Sequence, residues 1–387
     1  MEEQDLVDRV RALAPMVAAH ARQAEEERKP VDSVMQAIEG AGVYRFFVPK
    51  RYGGYEFSLA AFMDIGMILG EACISTGWVT TFCMEHNWLL ALYNQQAQDE
   101  IFGKQPYIIA PGALSPKGTA TPVEGGYRVS GRWEWGTGVM HSDWVMVGAL
   151  TRSAASEQPD LYMFLIPRQQ AEIIDTWHTA GMIGTGSNDI AVNDVFVPGH
   201  LAQNIGDMRD GRSPGAEVND SYLYRMPMLP VLGLTAAAPV VGGARKAVAI
   251  FQERLQERYV YGTATKQGDK PVAQIRLGLL KARAESLEAK LEATALEVEA
   301  WGKCGVPCPA IERAKLRVQI GSIVRESRDI VRDVVEASGA HAHFLDNPLQ
   351  RIQRDVHTAS CHTVFDLDVS AEQYGRLLLG LEPNAPF

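Results

Sequence analysis

The sequence predicts an α+β protein built in three parts, with helices first, strands second and helices again. Apolar residues recur at helical spacing from the start of the chain to about residue 105. Short segments rich in β-branched and aromatic residues follow as far as about residue 200. Long helical patterns return after about residue 221. We therefore predict an N-terminal helical domain over 1–105, a central β domain over 106–220 and a C-terminal helical bundle over 221–387.

The N-terminal part is predicted to be helical throughout. Its first segment carries one apolar face, formed by Leu6, Val10, Leu13, Val17 and Ala21. The acidic residues 25–27 fall on a solvated face and carry no functional prediction. Gly53 and Gly54 break the helical pattern in a loop. Further helices are predicted over 31–41, 58–72 and 75–95.

The central part contains several segments with strand character. They cover residues 107–114, 126–135, 143–150, 161–167 and 190–198. Gly, Asn and Pro between these segments supply the turns. The polar run 204–221 is too long for a plain connection, so it forms either a lid or a mobile linker. The sequence leaves both possibilities open.

The C-terminal part carries the longest helical pattern. A seam for lengthwise packing recurs at alternating three- and four-residue steps, formed by Leu277, Leu280, Ala284, Leu287, Leu291, Thr294 and Val298. A second helix is predicted over 309–337 with Gly339 as its breaker, and a third begins near Pro348. Ser370 and Gln373 fit a capping box that would begin a last short helix.

Composition narrows the class of ligand. A chain of 387 residues, 46% hydrophobic and 22% charged, is long enough for two or three domains with large cores. The formal net charge of −10 argues against nucleic acid and anionic membranes as partners, because both attract basic surfaces. The N-terminus lacks signal-peptide character, and no uninterrupted apolar stretch reaches about 18 residues. We therefore expect a cytoplasmic protein with a small ligand.

The cysteines and glycines exclude two kinds of site. Five cysteines, an odd number, lack the paired spacings of a disulfide framework or a zinc site, which suits a reducing compartment. Cys304, Cys308, His341 and His343 together give no recognised four-ligand set, so we predict no metal. GxGxxG and Walker-type loops are also absent from the sequence, so no dinucleotide-binding fold is expected within it.

Local motifs in all three parts resemble the acyl-CoA dehydrogenase fold. “MQAIEGAGVYRFFVPKRYGGYEFS” is similar to the stretch that ends the family's second helix. “GYRVSGRWEWGTGVMHSDWVMVGA” resembles the strand pair that lies against the flavin, and “GMIGTGSNDIAVNDVFVP” resembles the pair that closes it. “RYVYG” and “NPLQRIQRDVH” match the arginine motif and the Arg-Asp segment of the bundle. Each motif is weak alone, but the ordered set spans nearly the whole chain.

Departures from the dehydrogenases point to one branch of this fold. A dehydrogenase needs a carboxylate base, which the family carries in a Tyr-Glu-Gly-Thr motif after the Arg-Asp segment. Here “HTASCHTVFD” stands in that place, and His362 falls about where the glutamate would be. Arg-Asp-x-His-x-x-x-x-His, “GRWEWGTG”, “GTGSND” and “EHNW” resemble instead the oxygenase components of two-component flavin-dependent monooxygenases.

The resemblance implies a monooxygenase that uses reduced FMN or FAD and molecular oxygen. In such an enzyme a C4a-hydroperoxyflavin hydroxylates an aromatic, phenolic substrate, while the protein holds the cofactor and excludes water. A separate NAD(P)H-dependent flavin reductase supplies the reduced flavin. The expected assembly is a homotetramer in which neighbouring subunits complete the flavin site. The identity of the substrate and the choice between FMN and FAD stay open.

The resemblance also implies catalytic roles for histidines. His362 is the candidate base that deprotonates the phenol, because imidazole titrates near neutral pH. On an ideal helix His357 and His362 would lie about 140° apart, so only one is expected to face the pocket, and which of them is the base stays open. His86 corresponds to a histidine that meets the phenol oxygen in the hydroxylases. A structural role for His86 fits the sequence equally well.

Three residues are expected to meet the cofactor. The resemblance places Thr137 at the position that meets flavin N5, Arg258 at the arginine that reaches the flavin phosphate, and Ser187 at a flavin contact. From the residues alone, Thr137 and Ser187 also suit turns, and Arg258 also suits an exposed charge at a helix end.

Two other functions stay open on sequence grounds. The alternative enzyme is an FAD-dependent acyl-CoA dehydrogenase-like dehydrogenase or oxidase whose base comes from elsewhere, such as a glutamate of the bundle. The alternative outside catalysis is a flavin-fold protein kept as a binding or assembly module. Reduction of bound FAD by an acyl-CoA would indicate the first, and an oxygen reaction no faster than that of free flavin would indicate the second.

Overall fold

Helices come before and after a single sheet along the chain. A computed structural model of the protein describes residues 1–152 and 159–385. Within these ranges the helices before the sheet are α1 Glu3–Ala19, α2 Ala21–Glu27, α3 Asp32–Ala41, α4 Leu59–Ala72, α5 Ile74–Leu90 and α6 Gln95–Phe102. The apolar face predicted for the first segment is buried except for the half-buried Leu13. A break at His20 divides that segment into two helices.

Helix α5 is shorter than predicted. A single helix over 75–95 is wrong at its C-terminal end, because α5 ends at Leu90 and α6 begins at Gln95. Asn94 caps α6, since its side-chain oxygen accepts a hydrogen bond from the N–H of Ala97 at 3.0 Å. Nearly all of α5 is buried, so its sequence has no polar face whose loss would mark the end of the helix.

A mixed sheet follows the first six helices. Its strands in the described ranges are β1 Gly112–Val123, β2 Gly126–Trp133, β3 Trp144–Thr151, β4 Asp160–Pro167, β5 Glu172–Ile174, β6 Asp189–Pro198 and β7 Ala202–Asn204. The strand order is β5-β6-β2-β1-β3-β4-β7, and only the β1–β3 pair among them is parallel. The predicted strand over 107–114 is misplaced, because β1 begins at Gly112 and its second half is largely exposed and carries no apolar run.

The helices after the sheet form the bundle. In the part of the chain that the structure describes they are α7 Ile205–Arg209, α8 Gly215–Val218, α9 Met228–Glu257, α10 Pro271–Cys304, α11 Ala310–Ser338, α12 Pro348–Ala359 and α13 Leu367–Leu378. Helix α9 is long and apolar enough to cross a membrane, but 89% of its most apolar stretch is buried inside the protein. It is therefore the central helix of the bundle, packed against α4, α5, α10 and α11.

The ends of the bundle helices agree with most of the predicted signals. The seam of α10 is buried, with Leu277 half-buried, and α12 begins at Pro348. The capping box at Ser370 and Gln373 is wrong, because Asp366 caps α13 and both residues lie inside the helix. There the Ser370 hydroxyl donates to the carbonyl oxygen of Asp366 at 2.6 Å.

The polar run 204–221 packs closely against the end of α5. A Cβ at Gly215 would lie 2.0 Å from the carbonyl oxygen of Ala91, and the side-chain amide of Asn219 donates to the same oxygen at 2.9 Å. Helix α7, earlier in the same run, packs against β4 and α9 and carries Ile205 and Arg209 to the wall of a cavity. The predicted domain boundaries stay predictions, since buried residues of all three parts form one continuous core.

Candidate active site

A cavity of about 600 Å³ lies where α5, β1, α9 and the segment after α12 meet. This volume falls within the range of about 300–1,000 Å³ that is typical of ligand pockets. Helix α5 contributes Phe82, Glu85 and His86, and α9 contributes Met228 and Leu232. The start of β1 and the segment 362–366 close the other sides. The cavity therefore brings together the two histidines that sequence analysis singled out as catalytic.

His86 is held in one tautomer. The residue is 4% exposed, and its Nδ1 lies 2.6 Å from the carbonyl oxygen of Ala110. Because a carbonyl oxygen only accepts, Nδ1 carries the proton and Nε2 keeps a lone pair. Burial lowers the pKa of His86 to about 4, although the hydrogen bond to Ala110 acts in the opposite direction. The neutral ring therefore offers a hydrogen-bond acceptor at Nε2.

The backbone around His86 is fixed by its neighbours. The side chain of Asn87 donates to the carbonyl oxygens of Cys83 at 2.8 Å and Ile108 at 3.0 Å, and it accepts from the N–H of Ile108 at 3.0 Å. These bonds join α5 to the chain that enters β1. Gly112 lies beside the imidazole, and a Cβ at this position would be 3.0 Å from Nε2 of His86.

His362 lies beyond α12 and not on it. Helix α12 ends at Ala359, and His362 caps a short 3-10 turn over Thr363–Phe365. The prediction that His357 and His362 share one helix is therefore wrong. His357 is exposed on α12 and does not line the cavity, while His362 does.

His362 is held in the other tautomer. Its Nδ1 accepts a hydrogen bond from the backbone N–H of Val364 at 3.2 Å, so the proton of the neutral ring is on Nε2. Burial lowers the pKa of His362 to about 4. Its ring lies among aromatic side chains, with ring-centre distances of 5.8 Å to Trp78, 6.1 Å to Phe365 and 6.2 Å to Phe82. Titration near neutral pH, the expectation from sequence, does not describe this ring in its apolar surroundings.

Thr137 and Ser187 lie against each other, although 50 residues separate them in the chain. Their hydroxyl oxygens are 3.0 Å apart, and Ser187 is 2.8 Å from the hydroxyl of Thr185, which donates to the carbonyl oxygen of Met182 at 2.9 Å. All three hydroxyl-bearing residues are buried. Neither Thr137 nor Ser187 lines the cavity itself. The structure thus unites two of the predicted cofactor residues in one hydroxyl chain.

The ring of Trp135, two residues before Thr137 in the sequence, is exposed to solvent. Trp135 is 53% exposed and lines the cavity. Its φ is +67°, a backbone conformation that residues other than glycine rarely adopt. A strained position of this kind is often retained because it aims a side chain at a ligand. The exposed indole, the apolar wall and the cavity volume fit the ring system of a flavin.

The Arg-Asp segment of α12 holds the loop that carries Ser187. The Oδ1 of Asp355 accepts the backbone N–H of Met182 at 2.6 Å, and Arg354 donates to the carbonyl oxygen of Ala180 at 2.8 Å. Arg354 also pairs with Glu25 at 2.5 Å, so one residue of the acidic run 25–27 is partly buried and not solvated. Burial raises the pKa of Asp355 to about 6, while the Met182 N–H and Arg354 act in the opposite direction.

Arg258 lies apart from the other predicted site residues. It follows the last residue of α9, is half-buried, and does not line the cavity. Within this chain the structure therefore does not bring Arg258 together with Thr137 and Ser187. Among residues 1–152 and 159–385, no three His, Cys, Asp or Glu side chains are placed to hold a metal ion.

Two buried ionisable residues of the cavity were not among the predicted site residues. Glu85 and Arg317 both line it and are both buried. Glu85 is the only charged residue in the 17-residue helix α5. That composition is the sequence signal that could have singled it out, because ionisable residues in apolar helices are seldom buried without a function.

Two family descriptions match the chain. “Acyl-CoA dehydrogenase, N-terminal domain” matches residues 1–102, and “Acyl-CoA dehydrogenase, C-terminal domain” matches residues 234–367. A pigment production hydroxylase of Rhodococcus sp. (strain ATCC 21145) is 33% identical over 382 residues, which cover 99% of this chain and 98% of the relative.

Two further relatives carry flavin in their names. The oxygenase subunit HsaA of a flavin-dependent monooxygenase from Mycobacterium tuberculosis is 32% identical, over 99% of this chain and 97% of the relative. The crystal structure of that HsaA monooxygenase superposes with a TM-score of 0.93, covering 99% of this chain and 100% of the other at 31% identity. The oxygenase component of an FADH(2)-dependent resorcinol hydroxylase from Rhizobium sp. (strain MTP-10005) is 29% identical, over 99% of this chain and 96% of the relative.

Proposed function

The chain belongs to the acyl-CoA dehydrogenase family and to its flavin-dependent monooxygenases of the oxygenase-component type, and from this premise we propose that it hydroxylates a phenol held between His86 and His362. The observation that carries the proposal is the pair of opposite tautomers at one apolar cavity. Nε2 of His86 can accept a hydrogen bond, and Nε2 of His362 can donate one.

A bound flavin would carry out the chemistry with dioxygen, and the protein would hold and shield this cofactor. When bound, reduced flavin would supply the electrons that activate dioxygen, and one oxygen atom of dioxygen would be added to the aromatic ring. Trp135 would lie against the flavin ring, and the hydroxyl chain of Thr137 and Ser187 would support the edge of the site. The apolar side chains of the wall would limit the access of water to the bound cofactor.

The two tautomers favour different roles for the histidines, with His86 as the proton acceptor and His362 as the hydrogen-bond donor. A phenol hydroxyl donates to Nε2 of His86, which accepts its proton as negative charge develops on the phenol oxygen. The Nε2–H of His362 donates to that oxygen and stabilises the charge. For His362 to act as the base, its Nδ1 would have to take up a proton and lose the Val364 bond. The base role predicted for His362 thus stays a prediction, and hydrogen bonding favours His86.

The alternative dehydrogenase would need a carboxylate base in the same cavity. Burial raises the pKa of Glu85 well above its ordinary value, which disfavours the carboxylate form that a base needs. Glu134 also lines the cavity, but it pairs with Lys117 at 2.6 Å. The burial of Glu85 and the ion pair of Glu134 therefore support the oxygenase over the dehydrogenase.

We also propose a homotetramer in the cytoplasm that receives its reduced flavin from a separate NAD(P)H-dependent reductase. Four apolar side chains along α10 are exposed, namely Val272, Ile275, Leu279 and Leu296. An exposed apolar stripe of this kind suits contact between subunits. Arg258, which does not reach the cavity of its own chain, would then meet the flavin of a neighbouring subunit.

The test of the proposed function starts from reduced flavin. FMN or FAD is reduced without oxygen, mixed with the protein and then exposed to oxygen while absorbance is followed. We expect a transient species that outlasts the oxidation of free flavin, and its decay should yield a hydroxylated product when a phenol is present. Oxidation with the time course of free flavin, and no product from any phenol, would contradict the proposal and favour a binding module.

A further inference from the structure

Five ionisable side chains besides the histidines line the cavity, and two of them are neutralised by neighbours. Glu134 pairs with Lys117 at 2.6 Å. Arg209 makes two hydrogen bonds to the carboxylate of Asp210, at 2.9 and 3.1 Å. Neither of these two side chains therefore needs a ligand to balance its charge.

Two further side chains of the cavity, Asp366 and Glu85, also need no ligand to balance a charge. The carboxylate of Asp366 is exposed and accepts the N–H of Val369 at 3.0 Å at the N-terminus of α13, where negative charge is stabilised. Glu85 is buried, its Oε2 lies 3.5 Å from the donating hydroxyl of Thr235, and burial raises its pKa well above its ordinary value, which favours the neutral form. Neither residue forms an ion pair across the cavity in the described part of the chain.

Arg317 is the side chain whose charge is left unbalanced. It is 9% exposed, and its Nε is buried without a hydrogen-bond partner. Among the described residues no hydrogen bond or ion pair reaches its guanidinium, although Asp366 attracts it from a greater distance. Burial of a charge without a partner costs several kcal/mol, so a position like this one is seldom kept without a ligand.

Arg317 also lies close to the histidine end of the cavity. It is one turn before Gly321 on α11, where a Cβ would lie 3.3 Å from the carbonyl oxygen of Phe365. Phe365 ends the turn that His362 caps. A ligand that meets His362 can therefore extend along the same wall towards the guanidinium.

We propose that the aromatic substrate carries a carboxylate group and that Arg317 binds it. This inference rests on the proposed hydroxylation of phenols and narrows the substrate class to phenolic acids. A guanidinium holds a carboxylate through two parallel hydrogen bonds, and an apolar wall strengthens the attraction. One cation balances a singly charged carboxylate, whereas a phosphate ester would bring a second negative charge next to Asp366.

The experiment compares acids with their own amides. The probes are para-hydroxybenzoate, para-hydroxyphenylacetate and para-hydroxyphenylpropanoate, each beside its carboxamide, which has nearly the same shape and no charge. Binding is measured by the rise in melting temperature without flavin, and hydroxylation is measured with reduced flavin and oxygen. We expect at least one acid to bind at least tenfold more tightly than its amide, a difference that one charge-assisted pair can supply.

The variant Arg317→Met removes the charge and keeps an apolar side chain. It should bind the preferred acid no more tightly than the amide, and without ligand it should melt at the same temperature as the wild type or higher, because an unpaired buried charge is gone. Arg325→Met is the matched control on the same helix, since Arg325 is exposed and does not line the cavity. The control should keep the full preference for the acid.

Three results would overturn the inference. They are equal binding of every acid and its amide, a preference that survives in Arg317→Met, and a large fall in melting temperature in that variant, which would reveal a structural partner. A failure of the proposed function looks different, because reduced flavin would then oxidise as it does in free solution and neither acid nor amide would be hydroxylated. The binding preference is measured without flavin, so the two outcomes are separate.

Discussion

His86 and His362 both contact the ring of Phe82 edge-on, with ring-centre distances of 5.7 and 6.2 Å. The ring of Phe82 is therefore a shared neighbour of the imidazole that offers an acceptor nitrogen and of the imidazole that offers a donor nitrogen. Because the two tautomers are fixed by backbone groups of Ala110 and Val364, the pair is set before any substrate enters.

Replacement of His86 by asparagine should reduce hydroxylation while the fold is kept. The asparagine amide can still donate to the Ala110 carbonyl, but Nε2 is absent. We expect product formation to fall about 10²- to 10³-fold, the usual loss for a general base, while reduced flavin still reacts with oxygen in the bound state. His357→Asn is the control, since His357 is exposed on α12 and should change the rate by less than about twofold. Equal rates in the two variants would remove His86 from the reaction.

The variant His362→Asn tests the hydrogen-bond donor on the other side of the proposed phenol, the Nε2–H of His362. Asparagine is a good capping residue and can still accept the Val364 N–H, so the turn after α12 should persist. Loss of the Nε2–H should slow hydroxylation at saturating phenol about tenfold, the value of one hydrogen bond to a developing negative charge. His362→Ala should show the same loss of hydroxylation, with the transient flavin species largely retained. Normal hydroxylation by both variants at every pH would contradict any role for this ring.

Acid should destabilise the protein through the same two rings. Their pKa values are about 4 in the folded protein and about 6.5 in the unfolded chain, so the unfolded chain takes up protons first as the pH falls. The free energy of unfolding is therefore unaffected above about pH 6.5 and decreases as the pH falls from about 6.5 to about 4. Between pH 7 and 5 each histidine should account for about 2 kcal/mol.

Urea unfolding at the two pH values measures this effect. The double variant with asparagine at His86 and His362 should lose less stability on acidification than the wild type. His357→Asn should follow the wild type, because the side chain of His357 is exposed. Parallel pH profiles for the wild type and the double variant would show that neither ring is kept neutral by burial.

Asp355 should matter for stability more than for chemistry. In Asp355→Ala the buried N–H of Met182 loses its acceptor, and we expect a loss of about 2 kcal/mol in the free energy of unfolding. Asp355→Asn keeps an oxygen in place and should recover most of that loss. Flavin binding should weaken in the alanine variant, because the 182–187 loop carries Ser187. An alanine variant as stable as the wild type would show that other contacts hold this loop.

Arg258 should affect the affinity for reduced flavin and not the oxygen transfer. If it meets the flavin phosphate in a neighbouring subunit, Arg258→Ala should weaken binding of reduced FMN or FAD about tenfold, as the loss of a charge-assisted hydrogen bond does. Hydroxylation at saturating flavin should stay near the wild-type rate. Arg328→Ala, a substitution elsewhere in the bundle, is the control. Unchanged flavin affinity in Arg258→Ala would place the phosphate elsewhere.

The order of the helical and β domains can be predicted from the hydrophobic periodicity of the sequence. The geometry of the candidate active site cannot. Helical and strand patterns depend on neighbouring residues, so the α10 seam and the start of α12 could be predicted. The turn after α12 contains Ser360, Cys361 and His362 without glycine or proline, so no local signal separates His362 from the helix. The segment that follows His362 packs against Gly321 of α11, a contact between residues distant in sequence.

The hydrogen bonds that select the tautomers are also distant in sequence. Ala110 lies 24 residues from His86 and meets it only because Asn87 joins α5 to the chain before β1. Thr137 and Ser187 could be paired beforehand only through resemblance to a known fold. Arg317 gave no signal at all, since an arginine in an amphipathic helix is usually exposed.

Because Gly112 has no side chain, the space beside the acceptor nitrogen of His86 stays open to a ligand. A methyl group there would stand 3.0 Å from Nε2 of His86 and 3.2 Å from Cε of Met146, at the cavity wall that Gly112 and His86 both line. An alanine at this one position would leave oxygen activation intact and shut the aromatic ring out, so the protein would become a wasteful flavin oxidase through the gain of a single carbon atom.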